Sequence, residues 1–189
     1  MKKIKTLFNR IYADGGGAII GLEPEPLVDV NRATPTVKWD GSCCKIEDGR
    51  FYKRYDAKHG KTPPEGFEPC EPEPDPITGH WPGWIECEAH NPSDKWFFKA
   101  LINTDSPLFD STYEAVGPHF NGNPYGLTRD MLIPHGQTPA FGLRWPYDLD
   151  NIRDYLSRTE IEGIVFWEEG EPIAKIKRSD FGFPWRQKQ

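Results

Sequence analysis

The chain has 189 residues, 37% of them hydrophobic, which fits one domain with its own core. Its 7 Trp, 7 Tyr and 11 Phe exclude a wholly disordered chain, and no apolar run approaches the roughly 20 residues that span a bilayer. A net charge of −6 excludes a broad, non-specific nucleic-acid coat but leaves room for a local basic groove.

In chain order, residues 13–17 (Ala-Asp-Gly-Gly-Gly) read as a loop, and no Gly-Lys-Ser/Thr follows to cradle a phosphate. Residues 34–47 read as a strand interrupted at Asp40-Gly41. Residues 50–55 are its hairpin partner, with Asp48-Gly49 at the turn. From Lys58 to Trp84 the chain is rich in Pro, Gly and acid and is expected to be a long loop. A short strand is predicted over Ile85–Ala89, then a helix with Asn91 as N-cap and Pro92 at its first position. Thr112–Phe120 and Pro139–Trp145 read as strands. Leu149, Ile152, Tyr155 and Leu156 mark an amphipathic helix after Asp148. Residues 161–167 and 173–178 form a hairpin around Glu169-Gly170. There is no internal repeat, and the class is α+β with short antiparallel connections.

The basic N-terminus lacks an apolar segment, so no secretory signal is expected. Cys43, Cys44, Cys70 and Cys87 match no zinc spacing, and adjacent Cys43 and Cys44 are poorly placed for a structural disulfide. A reduced, cytoplasmic setting follows. The five histidines, His59, His80, His90, His119 and His135, show no metal-ligand spacing. The C-terminus is basic, with Lys175, Lys177, Arg178, Arg186 and Lys188.

Strand alternation puts Lys38 and Asp40 on one face, and Lys175 and Lys177 on another with Ala174 and Ile176 turned into packing. Two ammonium groups on one strand face repel each other, and an anion such as a triphosphate relieves that cost. An edge strand using lysine against aggregation would carry the same pattern. Lys38 as a nucleophile must lose its proton. At a pKa of ~10.4 only roughly 0.04% is neutral at pH 7, so nearby cations and desolvation are required. Glu114 and Glu162 each precede a glycine in a strand context, where a carboxylate can take ribose hydroxyls or hold Mg²⁺.

Together these elements resemble the covalent nucleotidyltransferase superfamily of DNA ligases, RNA ligases and mRNA capping enzymes. Lys38-Trp39-Asp40-Gly41 matches its Lys-x-Asp-Gly nucleophile motif, and Arg54 the arginine of the following strand. Glu114-Ala-Val-Gly117 matches the third motif, Glu162-Gly163-Ile164-Val165 the fourth and Lys175-Ile176-Lys177 the fifth, all in the required order. A nearer resemblance is to the vertebrate-type RNA ligase 1 family. It rests on Pro35-Thr36, Gly41-Ser42-Cys43-Cys44, Gly79 to Trp84, Asn121 to Leu127, Leu132 to Gly136 and Phe181 to Trp185, and runs from about residue 33 to 186.

The resemblance implies a nucleotidyltransferase fold, with antiparallel sheets flanked by helices and the nucleotide in a groove between them. It implies an ATP-dependent enzyme joining 5′-phosphate and 3′-hydroxyl RNA ends through a lysine–AMP adduct at Lys38. Asp40, Gly41, Arg54, Glu114, Phe141, Glu162, Lys175 and Lys177 would line the nucleotide. Lys175 and Lys177 would meet the phosphates, Glu114 the ribose, Phe141 the base, and Glu162 the Mg²⁺, with Mn²⁺ as an alternative ion. Phe141 reads equally well as a core aromatic. Val37 stands where relatives can carry a Glu that reads the adenine amino group. The chain's length leaves no room for an appended oligonucleotide-binding domain, so a single adenylation domain over 1–189, acting as a monomer on RNA and not at a membrane, is expected. Alternatives are a capping guanylyltransferase-like or DNA end-joining transferase, or a nucleotide-bound RNA-binding module without turnover.

Overall fold

The computed structural model describes residues 2–14, 17–76 and 78–185. Gly15 and Gly16 of the predicted glycine loop, and Arg186 and Lys188 of the basic C-terminus, lie outside those residues. The strands are β1 (Phe8–Tyr12), β2 (Ile19–Pro26), β3 (Thr34–Lys38), β4 (Ser42–Glu47), β5 (Arg50–Ala57), β6 (Glu68–Pro69), β7 (Trp81–Glu86), β8 (Ser111–Val116), β9 (Met131–Pro134), β10 (Gly163–Glu168) and β11 (Glu171–Lys177). The helices are α1 (Lys95–Asn103) and α2 (Leu149–Arg158), so the class is α+β with antiparallel sheets. Among the described residues no helix is long and apolar enough to cross a membrane. The chain divides into two compact units, one built on residues 40–135 and one on residues 4–39 with 136–185.

The unit over 40–135 is a six-stranded antiparallel sheet in the order β6-β7-β5-β4-β8-β9. The β4–β5 turn is the predicted one. Asp48 and Gly49 both take positive φ, 50° and 73°, as a two-residue hairpin turn requires. Partners Cys44 and Tyr113 are buried together with Phe51, Ala115, Leu132 and Ala100 of α1, forming the core of this unit. Because side chains alternate, the neighbouring partners Cys43 and Glu114 face away from that core.

Strand β7 begins at Trp81, earlier than the predicted Ile85. Trp-Pro-Gly-Trp has loop composition, but Trp81 to Gly83 pair with Tyr55 to Ala57. A Cβ at Gly83 would sit 2.3 Å from the Phe67 ring, so only glycine allows that approach. Helix α1 starts at Lys95 rather than Pro92. Asn91 Oδ1 accepts from Ser93 N in a turn, and Asp94, 1% exposed, is drawn into an ion pair with Lys53.

The unit over 4–39 and 136–185 holds the antiparallel sheet β11-β10-β3 and the β1–β2 hairpin. The β10–β11 turn at Glu169 and Gly170 has φ of 51° and 82°, as predicted from the sequence. Leu7, Phe8, Ile152, Leu156, Ile164, Phe166, Ala174 and Ile176 are fully buried and make the core. Helix α2 starts where expected, with Asp148 Oδ1 accepting from Asn151 N at 2.8 Å. Its last turn is closed by Arg178, whose Nη1 donates to the carbonyls of Leu156 and Thr159. Residues 139–145 are turns, not the predicted strand. Their pairing reduces to a single bridge between Thr36 and Pro139, after which Phe141 N and Leu143 N donate to carbonyls two and three residues back.

Candidate active site

In the second unit, Lys38 ends β3 directly opposite Gly163 of β10, and Gly163 pairs on its other side with Lys177 of β11. The row Lys38–Gly163–Lys177 therefore crosses the sheet with two long cations and no side chain between them. A Cβ at Gly163 would lie 2.2 Å from the Ile176 carbonyl oxygen. The slot is filled by the carboxylate of Glu162. Lys38 Nζ lies 2.5 Å from its Oε2, and Lys177 Nζ 2.6 Å from its Oε1. The Glu162 carbonyl accepts from Arg178 N at 2.9 Å, which holds the residue as it leaves the loop.

Lys175 lies two residues before Lys177 and shares its face, while Ala174 and Ile176 are fully buried as predicted. Burial, reinforced by the ammonium groups of Lys38 and Lys177, pushes its pKa down to about 8. Lys38 and Asp40 do not share a strand face. Strand β3 ends at Lys38, and Trp39 turns its indole N–H to Thr138 Oγ1 at 3.3 Å. Phe141 sits in the turn segment and is 82% exposed, which removes its reading as a core aromatic.

In the first unit, Gly41 N donates to Glu114 Oε1 at 2.9 Å. Gly41 must be glycine here, because a Cβ would lie 2.1 Å from the Ala115 carbonyl oxygen. The other Glu114 oxygen meets His135 Nε2 at 3.0 Å, and His135 Nδ1 meets Thr112 Oγ1 at 2.9 Å. Asp40 N donates to Tyr125 Oη at 2.6 Å, and Asn121 Nδ2 donates to both Asp40 Oδ1 and the Gly41 carbonyl. The string Asn121 to Leu127 thus clamps the Asp40-Gly41 turn. Its signal is the run of Asn and Gly, and Asn121, Gly122, Asn123 and Gly126 all have positive φ. Arg54 lies over the Trp84 ring at 5.3 Å and donates to Cys70 Sγ. It also lines a cavity of about 350 Å³ with Lys3, Asp56, Asp75 and His80. Burial, then the Glu114 carboxylate, pushes the Cys43 thiol up to about 12, against an opposing pull from Arg54. None of the four cysteines is in a disulfide.

Of the candidate site residues, the fold brings Lys38, Glu162, Lys175 and Lys177 together. The candidates Gly41 and Glu114 hydrogen-bond each other. His135, Tyr125 and Asn121 join these residues through contacts that no sequence spacing marks.

No protein-family model matches the chain. RNA ligase 1 of Pongo abelii is 28% identical over 83% of this chain and 70% of its own length. RNA ligase 1 of Rattus norvegicus is likewise 28% identical, over 83% of this chain and 70% of its own length. RNA ligase 1 of Mus musculus is 28% identical over 83% of this chain and 69% of its own length. The chain is similar to these RNA ligase 1 proteins over most of its length, in keeping with the family that its motif order resembles.

Proposed function

We propose that the protein is an ATP-dependent RNA ligase that joins 5′-phosphate and 3′-hydroxyl RNA ends through an adenylate on Lys38. The single observation that carries this reading is the meeting of Lys38 and Lys177 on one Glu162 carboxylate, with Lys175 beside them. A carboxylate gripped by two ammonium groups marks a place where negative charge is stable, and a polyphosphate offers more of it. The names of the similar RNA ligase 1 proteins support RNA as the substrate class. We further propose that residues 1–189 act as one adenylation domain with the nucleotidyltransferase fold.

In the first step the neutral Lys38 amine forms a bond to the α-phosphorus of ATP. The bond to the bridging oxygen breaks and pyrophosphate leaves. Glu162, 2.5 Å from Lys38 Nζ, takes the proton the amine gives up. Lys175 and Lys177 bind phosphate oxygens, and Arg54 and Glu114 serve nucleotide binding, Glu114 at the ribose hydroxyls. Next, an oxygen of the RNA 5′-phosphate attacks the same phosphorus and the lysine leaves. Finally the 3′-hydroxyl attacks the activated 5′-phosphate and AMP departs. The work of the chain is positioning and charge neutralisation.

Glu162 is a hard oxygen donor suited to Mg²⁺ or Mn²⁺, but both its oxygens are engaged by ammonium groups. Glu162 would hold the ion once a lysine had moved onto phosphate, and the ion would supply neutralisation of phosphate charge. The test is incubation with α-labelled ATP or GTP and Mg²⁺, followed by a denaturing gel. Label from ATP and not GTP is expected, with none in Lys38→Ala or Lys38→Arg, since a guanidinium stays protonated. Undiminished labelling of Lys38→Ala would remove Lys38 as the nucleophile.

A further inference from the structure

We propose that Cys43, Glu114 and His135 form a binding site for a thiophilic divalent cation of the zinc type. One ligand atom from each residue lies within 4.8 Å of the other two. The grouping follows from strand register. Cys43 and Glu114 are direct partners across β4 and β8, and Glu114 pairs with Ile133 of β9. His135 lies two residues beyond Ile133, so all three side chains stand on the sheet face turned away from the α1 core. None of them is needed to fill that core.

The surroundings match a metal's outer shell. His135 Nδ1 is held by Thr112 Oγ1 at 2.9 Å, which fixes the ring and leaves Nε2 directed at Glu114 Oε2, 3.0 Å away. The second Glu114 oxygen is held by Gly41 N at 2.9 Å. Without a metal that contact is a hydrogen bond, Nε2–H donating to the carboxylate while the Thr112 hydroxyl donates to Nδ1. With the ring proton on Nδ1 instead, donating to Thr112 Oγ1, Nε2 presents its lone pair to a metal. A four-coordinate zinc-type ion, with bonds of about 2.0–2.3 Å, keeps its donors roughly 3.3–3.7 Å apart. The group therefore closes around it by small side-chain movements. Thiolate, imidazole and carboxylate select zinc or a similar ion over Mg²⁺, which takes oxygen ligands. On binding, the Cys43 thiol gives its proton to the buffer and sulfur bonds to the metal. The thiolate and carboxylate then balance the dication, and the fourth position stays open to water.

The occupied site would withdraw Glu114 from the ribose, so the metal would inhibit nucleotide transfer. That consequence rests on the ligase reading; the metal site does not.

The test titrates the full chain, free of any histidine tag, with Co²⁺ in the absence of nucleotide. A 1:1 complex is expected, with a thiolate-to-cobalt charge-transfer band and the intense visible bands of a four-coordinate ion, both abolished by Zn²⁺. Cys43→Ser should lose the charge-transfer band, and Cys70→Ser and Cys87→Ser should keep it. Thr112→Val keeps every ligand and should bind about tenfold more weakly or worse. No thiolate band in the native chain, or a band that survives in Cys43→Ser, overturns the site. Labelling by ATP with excess Mg²⁺ is measured on the same samples, each relative to its own zinc-free rate. Inhibition by Zn²⁺ that is equal in the native chain and Cys43→Ser overturns the inhibitory role and leaves the metal site standing.

Discussion

At the scale of single residues, Lys175 differs from its neighbours. Its folded pKa of about 8 lies below the ordinary 10.5. The folded chain then binds fewer protons than the unfolded one between those values, so this group makes stability rise as pH climbs from 8 to 10.5. Thermal melts across that window should show the rise, and Lys175→Met should flatten it. Nucleotide binding gives the complementary effect. A triphosphate beside Lys175 favours its charged form, so ATP binding at pH 8.5 should take up a proton, whereas binding at pH 6.5 should take up none through this group. Calorimetry in two buffers of different ionisation enthalpy measures that uptake. Its persistence in Lys175→Met would assign it to another group. The same substitution should cut lysine labelling by about 10²-fold, the scale of losing one oriented charge contact, while the melting temperature at pH 7 holds or rises.

At the scale of elements, the glycine between two lysines sets how closely β10 and β11 approach. In Gly163→Ala the new methyl meets the Ile176 carbonyl oxygen at 2.2 Å and Lys177 Cα at 2.9 Å, both backbone atoms that cannot rotate away. The strands must part. Overpacking of this kind costs about 1–3 kcal/mol, or roughly 2–12 °C in melting temperature for a chain of this size. Labelling measured well below the melting point should fall by more than the folded fraction does, because Lys177 is carried out of reach of Glu162. Labelling that merely tracks the folded fraction would separate the strand spacing from the chemistry.

These same elements show what was legible. Asp48-Gly49 and Glu169-Gly170 announced their hairpins because a two-residue turn demands positive φ, a local property. Asp148 announced α2 because an N-cap is local too. Trp81 to Gly83 and the start of α1 were misread because pairing with β5 and the Lys53–Asp94 ion pair are set by residues far along the chain. The strands β1, β2 and β9 escaped for a similar reason, since each is defined by its partner. Lys38, Glu162 and Lys177 were readable as ordered motifs. His135 was not, because its role depends on Glu114, 21 residues earlier on the adjacent strand β8, and no spacing rule marks it.

At the scale of the whole molecule, a net charge of −6 sets a limit on how RNA can be held. Among the described basic residues near the C-terminus, two are already engaged. Arg178 holds the carbonyls at the end of α2, and Lys177 holds Glu162. Few counterions can then be released, and binding should be weak. With about two or three phosphate contacts, the logarithm of affinity for single-stranded RNA should fall with the logarithm of salt at a slope near −2. Fluorescence anisotropy from 50 to 200 mM KCl checks this, and a slope steeper than about −5 would reveal a basic surface that the composition hides. Weak, charge-poor binding cannot by itself tell RNA from DNA, since both carry the same phosphates. Discrimination must come from the sugar, where the 2′-hydroxyl is the group that separates the two. The pre-adenylated chain should therefore seal a nicked or hairpin RNA bearing a 5′-phosphate faster than a DNA of identical sequence. Replacing only the nucleotides flanking the nick by deoxynucleotides should account for most of the difference. Sealing of the all-DNA substrate at an equal or greater rate would overturn RNA as the substrate, while leaving adenylation of Lys38 to be judged on its own labelling.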